Sequence, residues 1–226
     1  LQLESERAYH LSCFEVHQAR GSRLGTRLVA LGAQIARHEV RVFLDEEGAE
    51  ASLDGLYLPW GNQHHDHPVL VEHVAPRGTS QQRYVGIVDE RGRGVFNGHV
   101  VVHQGAAGTD ASQSNKNLLL SARAEVDTRP RLEIFADDVA CAHGASVGRL
   151  DADALFYLRS RGIPERRARG LLVHGFAAQM IERLGIDPLR LGVQKMITAR
   201  LGLDEVELLA SKGPGPARRQ PGVAGR

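Results

Sequence analysis

Arg131-Leu-Glu-Ile-Phe-Ala-Asp-Asp-Val-Ala-Cys-Ala-His-Gly-Ala-Ser-Val-Gly148 divides the chain into two kinds of text. Before it lie short strands and turns. After it, from Arg149-Leu-Asp-Ala-Asp-Ala-Leu-Phe-Tyr-Leu-Arg-Ser-Arg-Gly162, the pattern is helical. Cys141, one of two cysteines, stands here with His143 two residues on. Side chains alternate along a strand, so both point to one face. A thiol and an imidazole on one face are soft donors suited to a metal or an iron–sulfur fragment. They do not complete a site, so a metal role needs ligands from another chain. The plainer alternative is a buried apolar cysteine beside a structural histidine.

Upstream, His10-Leu-Ser-Cys-Phe-Glu-Val-His17 and His38-Glu-Val-Arg-Val-Phe-Leu44 alternate, and Leu56–Leu58, Val69–Val71, Tyr84–Val88 and His99–His103 follow. Gly, Asp, Asn or Pro separates most of them. Asn97-Gly98 is the one clear hairpin signal. Regular strands without hairpin turns suggest coils stacked in parallel, a β-helix or solenoid. Alternation alone leaves a sandwich open. In Gly105–Ser121, small residues suit tight corners and amides suit ladders along a stack, unless the stretch is a polar loop running into a strand Asn117–Ser121.

The helical part has clear punctuation. Asp151 caps a helix with Leu155, Phe156 and Leu158 on its apolar side, and Gly162 ends it. Pro164 opens a second helix bearing Leu171, Leu172, Phe176, Met180, Ile181 and Leu184, closed by Gly185. Pro188 starts a third through Leu191, Val193, Met196, Ile197 and Leu201. From about Ser211 the Gly-, Pro- and Arg-rich tail is expected to be disordered. The expected organisation is therefore a β part over 1–148, a helical domain over 149–210 and a tail over 211–226.

Lys plus Arg number 28 against 27 Asp plus Glu, so no basic field calls for nucleic acid. Two cysteines make no disulfide framework, and no apolar run approaches membrane-span length; a cytoplasmic protein is expected. The opening at Leu1, inside an apparent strand, suggests a missing upstream part. His64-His65-Asp66-His67 looks like a metal tract, yet only His65 and His67 share a face, and a polar turn before Pro68 is the simpler reading. Asp137 and Asp138, as strand neighbours, face opposite ways and make no acid–base pair. No phosphate-cradling loop, nucleophile elbow or Cys-x-x-Cys occurs. A scaffold, not an enzyme, is expected.

Three segments carry a resemblance: Thr109-Asp-Ala-x-Gln-x-Asn-x-Asn-Leu-Leu-Leu-Ser121, Ala136-Asp-Asp-Val-x-Cys-x-His-Gly-Ala-x-Val-Gly148 and Ala154-Leu-Phe-Tyr-Leu-Arg-Ser-Arg-Gly-Ile163. With Gly55–Leu58, Val71–Pro76 and Gly94–Gly98, they resemble the SufB/SufD family, scaffolds of Suf iron–sulfur cluster assembly. The Cys-x-His-Gly-Ala run looks like the SufD branch. The resemblance implies a mainly β fold, a right-handed parallel β-helix followed by a small helical C-terminal domain. It also implies that the chain is shortened at its N-terminus.

The partners implied are a SufB-like scaffold, met through the end of the β-helix, and a SufC-like ABC ATPase held by the helical domain. A homodimer is a further possibility. Cys141 and His143 correspond to the cluster-assembly interface, binding a transient iron–sulfur cluster (iron and sulfide) shared with the partner chain. Phe156, Tyr157, Arg159 and Arg161 fall in the helix taken for ATPase docking, with Arg161 matching a family arginine. A flavin accompanies the family's complexes, although no residue here marks a flavin site. Two other classes compete. A β-helix carbohydrate-active enzyme needs a carboxylate or basic cluster on one β face. A structural adaptor needs Cys141 and His143 only as packing.

Overall fold

The computed structural model describes residues 1–201. Eleven strands precede three helices: β1 (Tyr9–Gln18), β2 (Arg23–Ala30), β3 (Ile35–Leu44), β4 (Glu50–Tyr57), β5 (His64–His73), β6 (Thr79–Val88), β7 (Arg93–Val102), β8 (Asp110–Leu119), β9 (Glu125–Thr128), β10 (Arg131–Ile134), β11 (Ala140–Arg149), α1 (Ala152–Ser160), α2 (Glu165–Glu182) and α3 (Asp187–Arg200). Every strand pairing is parallel. One sheet runs β1-β3-β5-β7-β10 with β9 also on β7, and the other runs β11-β8-β6-β4-β2. Each coil gives one strand to each sheet, apart from the last, where β9 and β10 share one side. Tyr9 lies beside Ile35, Ile35 beside His64, and His64 beside Arg93, so these coils take 26, 29 and 29 residues. The result is a parallel β-helix of five turns, as the alternation and the resemblance led us to expect. The sandwich reading is excluded.

Period-two alternation explains the interior. Val42, Leu44, Leu53, Tyr57, Val69, Val71, Tyr84 and Phe96 point inward and form one core. Gly86 sits opposite Tyr57 in register, and a Cβ on it would lie 2.5 Å from the Tyr57 ring. The ring fits because the neighbouring coil has no side chain there. At the corners, Gly21, Gly48, Arg77, Gly108 and Asp138 all take φ between +55° and +73°. Gly48 N–H then donates to Pro76 O (3.1 Å) and Arg77 N–H to Ala107 O (2.9 Å), which ties successive corners together.

The outward face of the second sheet is apolar where the helices cover it. Val29, Leu31, Leu56, Leu58, Val85, Ile87 and Leu118 pack with Val173, Ala177, Met180, Ile181, Leu184, Val193 and Ile197 in one cluster. The helical spacing of these last residues turns one stripe of α2 and α3 onto the sheet. Asp54 on β4, 1% exposed, faces Arg27, Arg83 and Arg183 across this seam. Arg200 closes the far end by donating to Leu58 O (3.0 Å) and to Leu31 O.

Three local readings are corrected. His64-His65-Asp66-His67 is the start of β5 instead of a turn. Asn97-Gly98 lies inside β7 instead of in a hairpin, because Gly98 leaves room for the Phe96 ring and the Gln113 amide. Asp137 and Asp138 occupy the corner between β10 and β11 and belong to no strand. The polar stretch before Ser121 is strand β8, with Gln113, Asn115 and Asn117 buried. Residues 202–210 of the expected helical domain and the tail 211–226 lie outside the described residues.

Candidate functional site

β11 is the last strand of its sheet. It pairs with β8 on one side along its whole length, from Ala140 beside Ala111 to Arg149 beside Leu119. Its other edge has no strand among the described residues. An edge strand presents a row of free N–H and C=O groups, and proteins normally guard it with charge or Pro. Ala140–Gly148 carries neither, only small residues, Cys141, His143 and Val147. Leu132 and Ile134 of β10 belong to the same open end, where Ile134 is exposed.

The inward side of β8 is that of Ala111, Gln113, Asn115 and Asn117, all buried. Register therefore turns Cys141 and His143 to the same side, over the open end of the coil. Their environments differ. Cys141 is half-buried against a cluster of Val100, Val102, Ala106 and Ala111. Burial raises its thiol pKa, the nearby Asp110 charge adds to this, and a main-chain hydrogen bond at Ala111 opposes it. The thiol is accordingly protonated at neutral pH. His143 is exposed.

Behind them lies a polar ladder that sequence reasoning placed only in outline. Gln113 Nε2 donates to Gln82 Oε1 (2.9 Å). Tyr57 Oη donates to Asn117 Oδ1 (2.6 Å), and Asn117 Nδ2 to Asn115 Oδ1 (2.6 Å).

α1 follows β11 after Leu150 and Asp151. Asp151 Oδ1 accepts from the N–H groups of Asp153 (2.9 Å) and Ala154 (3.1 Å). Gly162, at φ +82°, ends the helix. No residue of α1 is buried. Phe156 is 72% and Tyr157 56% exposed, so Phe156 leaves the apolar side assigned to it, and Leu155 and Leu158, with Ala154, turn inward. The Arg161 guanidinium stands 5.3 Å from the Tyr157 ring centre, and Arg159 pairs with Glu165 at 3.3 Å. An exposed aromatic pair with arginines is the composition of an interface anchor.

His38 of β3 and His65, His67 and His73 of β5 lie inside the coil. His38 stacks on His67 with ring centres 5.5 Å apart, and His67 meets Tyr57 at 4.6 Å. His65 Nε2–H donates to Gly32 O (2.9 Å). Burial pushes His38, His65 and His73 down to about 4, and His67 well below the ordinary imidazole value. These rings are neutral packing. No group of three or more His, Cys, Asp or Glu among the described residues has metal-site geometry, and no described helix is long and apolar enough to cross a membrane.

Residues 1–176 match the family model described as SUF system FeS cluster assembly, SufBD core domain. The chain is 37% identical over 202 residues to the iron–sulfur cluster assembly protein SufD of Escherichia coli, covering 89% of this chain and 47% of that protein. It is 35% identical over 199 residues to an iron–sulfur cluster assembly SufBD family protein of Synechocystis, covering 88% and 44%. Against SufD of Bacillus subtilis the identity is 37% over 125 residues, covering 54% and 28%. The chain spans about half the length of the curated relatives it matches most fully.

Proposed function

The chain belongs to the SufB/SufD family of iron–sulfur cluster assembly proteins, and from that premise we propose that it is a SufD-like scaffold subunit working at the end of its β-helix. The observation that carries this reading is the unguarded edge strand β11, with Cys141 and His143 on one side of it. A SufB-like scaffold pairs with that edge and supplies the remaining ligands; a second copy of this chain is the other candidate occupant. His143 is the ready ligand. Cys141 becomes one when an incoming iron replaces its proton. The nascent cluster is cargo passed through the interface.

A SufC-like ATPase docks on Phe156, Tyr157, Arg159 and Arg161. α2 and α3 are fixed to the sheet by the shared core and by the Asp54 and Arg200 contacts. α1 touches the sheet by no such tie, packs on α2, and is joined to β11 by only Leu150 and Asp151. Nucleotide-driven movement of the ATPase therefore acts on the strand that carries the ligands and draws Cys141 out of its apolar seat.

A flavin has no place in this proposal.

The packing of Cys141 favours a second reading, a structural adaptor in which the pair binds nothing. Cluster assembly in cells depending on this chain separates the two. His143→Ala is expected to lower it at least tenfold, with the protein still folded. Unchanged assembly in both His143→Ala and Cys141→Val leaves the adaptor reading alone.

A further inference from the structure

We propose that Gln113 is a positioning residue for His143, accepting a ring N–H so that the other nitrogen faces the incoming metal. This rests on the reading of His143 as a ligand. The three inward amides of β8 are not alike. Asn115 and Asn117 use both ends of their amides, through Tyr57, through the Tyr84 carbonyl and through each other. Gln113, 3% exposed, donates with Nε2 to Gln82, while its Oε1 has no partner. It is also the residue beside which His143 lies in register.

A buried acceptor without a donor is rare and calls for an explanation. Here the amide is also pinned. A Cβ on Gly98 would lie 2.2 Å from Gln113 Nε2, so the amide rests against the backbone of the opposite sheet. A rotation of His143 toward the coil meets this fixed oxygen. Metal-binding histidines commonly hold their second N–H on such a partner, which sets the tautomer and aims the free lone pair.

The test is ¹⁵N imidazole NMR of the whole chain at about pH 8.5, above the usual imidazole range, with the His143 signal identified by its loss in His143→Ala. The expected wild-type spectrum shows a single His143 tautomer. Gln113→Leu should give the mixture of a free imidazole. Gln113→Glu should restore one tautomer, because the new carboxylate keeps the acceptor and can take the idle Gln82 Nε2–H. Fe²⁺ binding by the chain in its complex should weaken about tenfold in Gln113→Leu. A mixed tautomer in the wild type overturns the proposal whether or not any variant folds. An unchanged tautomer in a folded Gln113→Leu does the same. Normal cluster assembly by His143→Ala instead defeats the cluster reading and leaves the tautomer result standing, so the two failures are distinct.

Discussion

Acidification from pH 7 to about 4.5 should unfold the β-helix. His38, His65, His67 and His73 are buried and neutral: burial holds His38, His65 and His73 down to about 4 against 6.5 for the exposed ring, and His67 well below its ordinary value. The unfolded chain therefore takes up protons first. Stability is fully present above about pH 6.5 and falls as the pH drops towards 4. A difference of that size is worth about 3 kcal/mol for each of His38, His65 and His73, so these three together rival the whole stability of a typical domain, and His67 adds to them in the same direction. Glu39 and Asp127, held below the ordinary carboxylate range by Arg41 and Arg93, lose their contribution at still lower pH. His17, raised by its hydrogen bond to Asp45, runs the opposite way but lies at the surface. Urea titrations across this range should show the free energy dropping steeply below pH 6. His67, whose two ring nitrogens have no protein partner, is the sharpest probe, and His67→Leu should flatten the slope. Equal stability at pH 7 and pH 4.5 contradicts the burial of these rings.

Asp54→Ala should cost about 3 kcal/mol and loosen α2 from the sheet. Asp54 Oδ1 accepts from Arg83 Nε (2.6 Å), and Oδ2 accepts from Arg183 Nε (3.2 Å) and lies 3.1 Å from Arg27 Nε. Arg27 Nε also reaches the Arg183 carbonyl at the end of α2 (2.9 Å). Removing the carboxylate leaves three guanidiniums facing one another. Breaking a buried pair from one side costs about 3–5 kcal/mol, and the partial exposure of the arginines puts this case at the lower end. Hydrogen exchange in α2 should quicken along with the shift in urea midpoint. A change below about 0.5 kcal/mol, the scale of an ordinary surface substitution, shows that the helices are held by the apolar seam alone.

The readable parts of the fold were those governed by local chemistry. Asp151, Gly162, Pro164, Gly185 and Pro188 mark helix ends because caps and breakers act within one turn. Strand β2 went unread because Arg23-Leu-Gly-Thr-Arg-Leu28 is only half-buried and carries weak apolar alternation. The strand start at His64 was missed for the opposite reason: polar letters suggested solvent, whereas a neutral imidazole packs as a ring. Arg27, Asp54 and Arg83 are paired in register along three strands, so their column becomes legible once the coil length is known. Arg183, 129 residues from Asp54, does not. At the site, alternation was enough to put Cys141 and His143 on one face. The difference between a half-sunk thiol and an exposed imidazole was not legible, since it depends on where the described stack ends.

The most direct test of the scaffold reading is purification of the tagged chain from cells that also produce its host's SufB-like scaffold and SufC-like ATPase. A stoichiometric complex is expected. Tyr157→Ala with Arg161→Ala should release the ATPase while the scaffold stays bound to β11. A folded chain that retains neither partner contradicts the account.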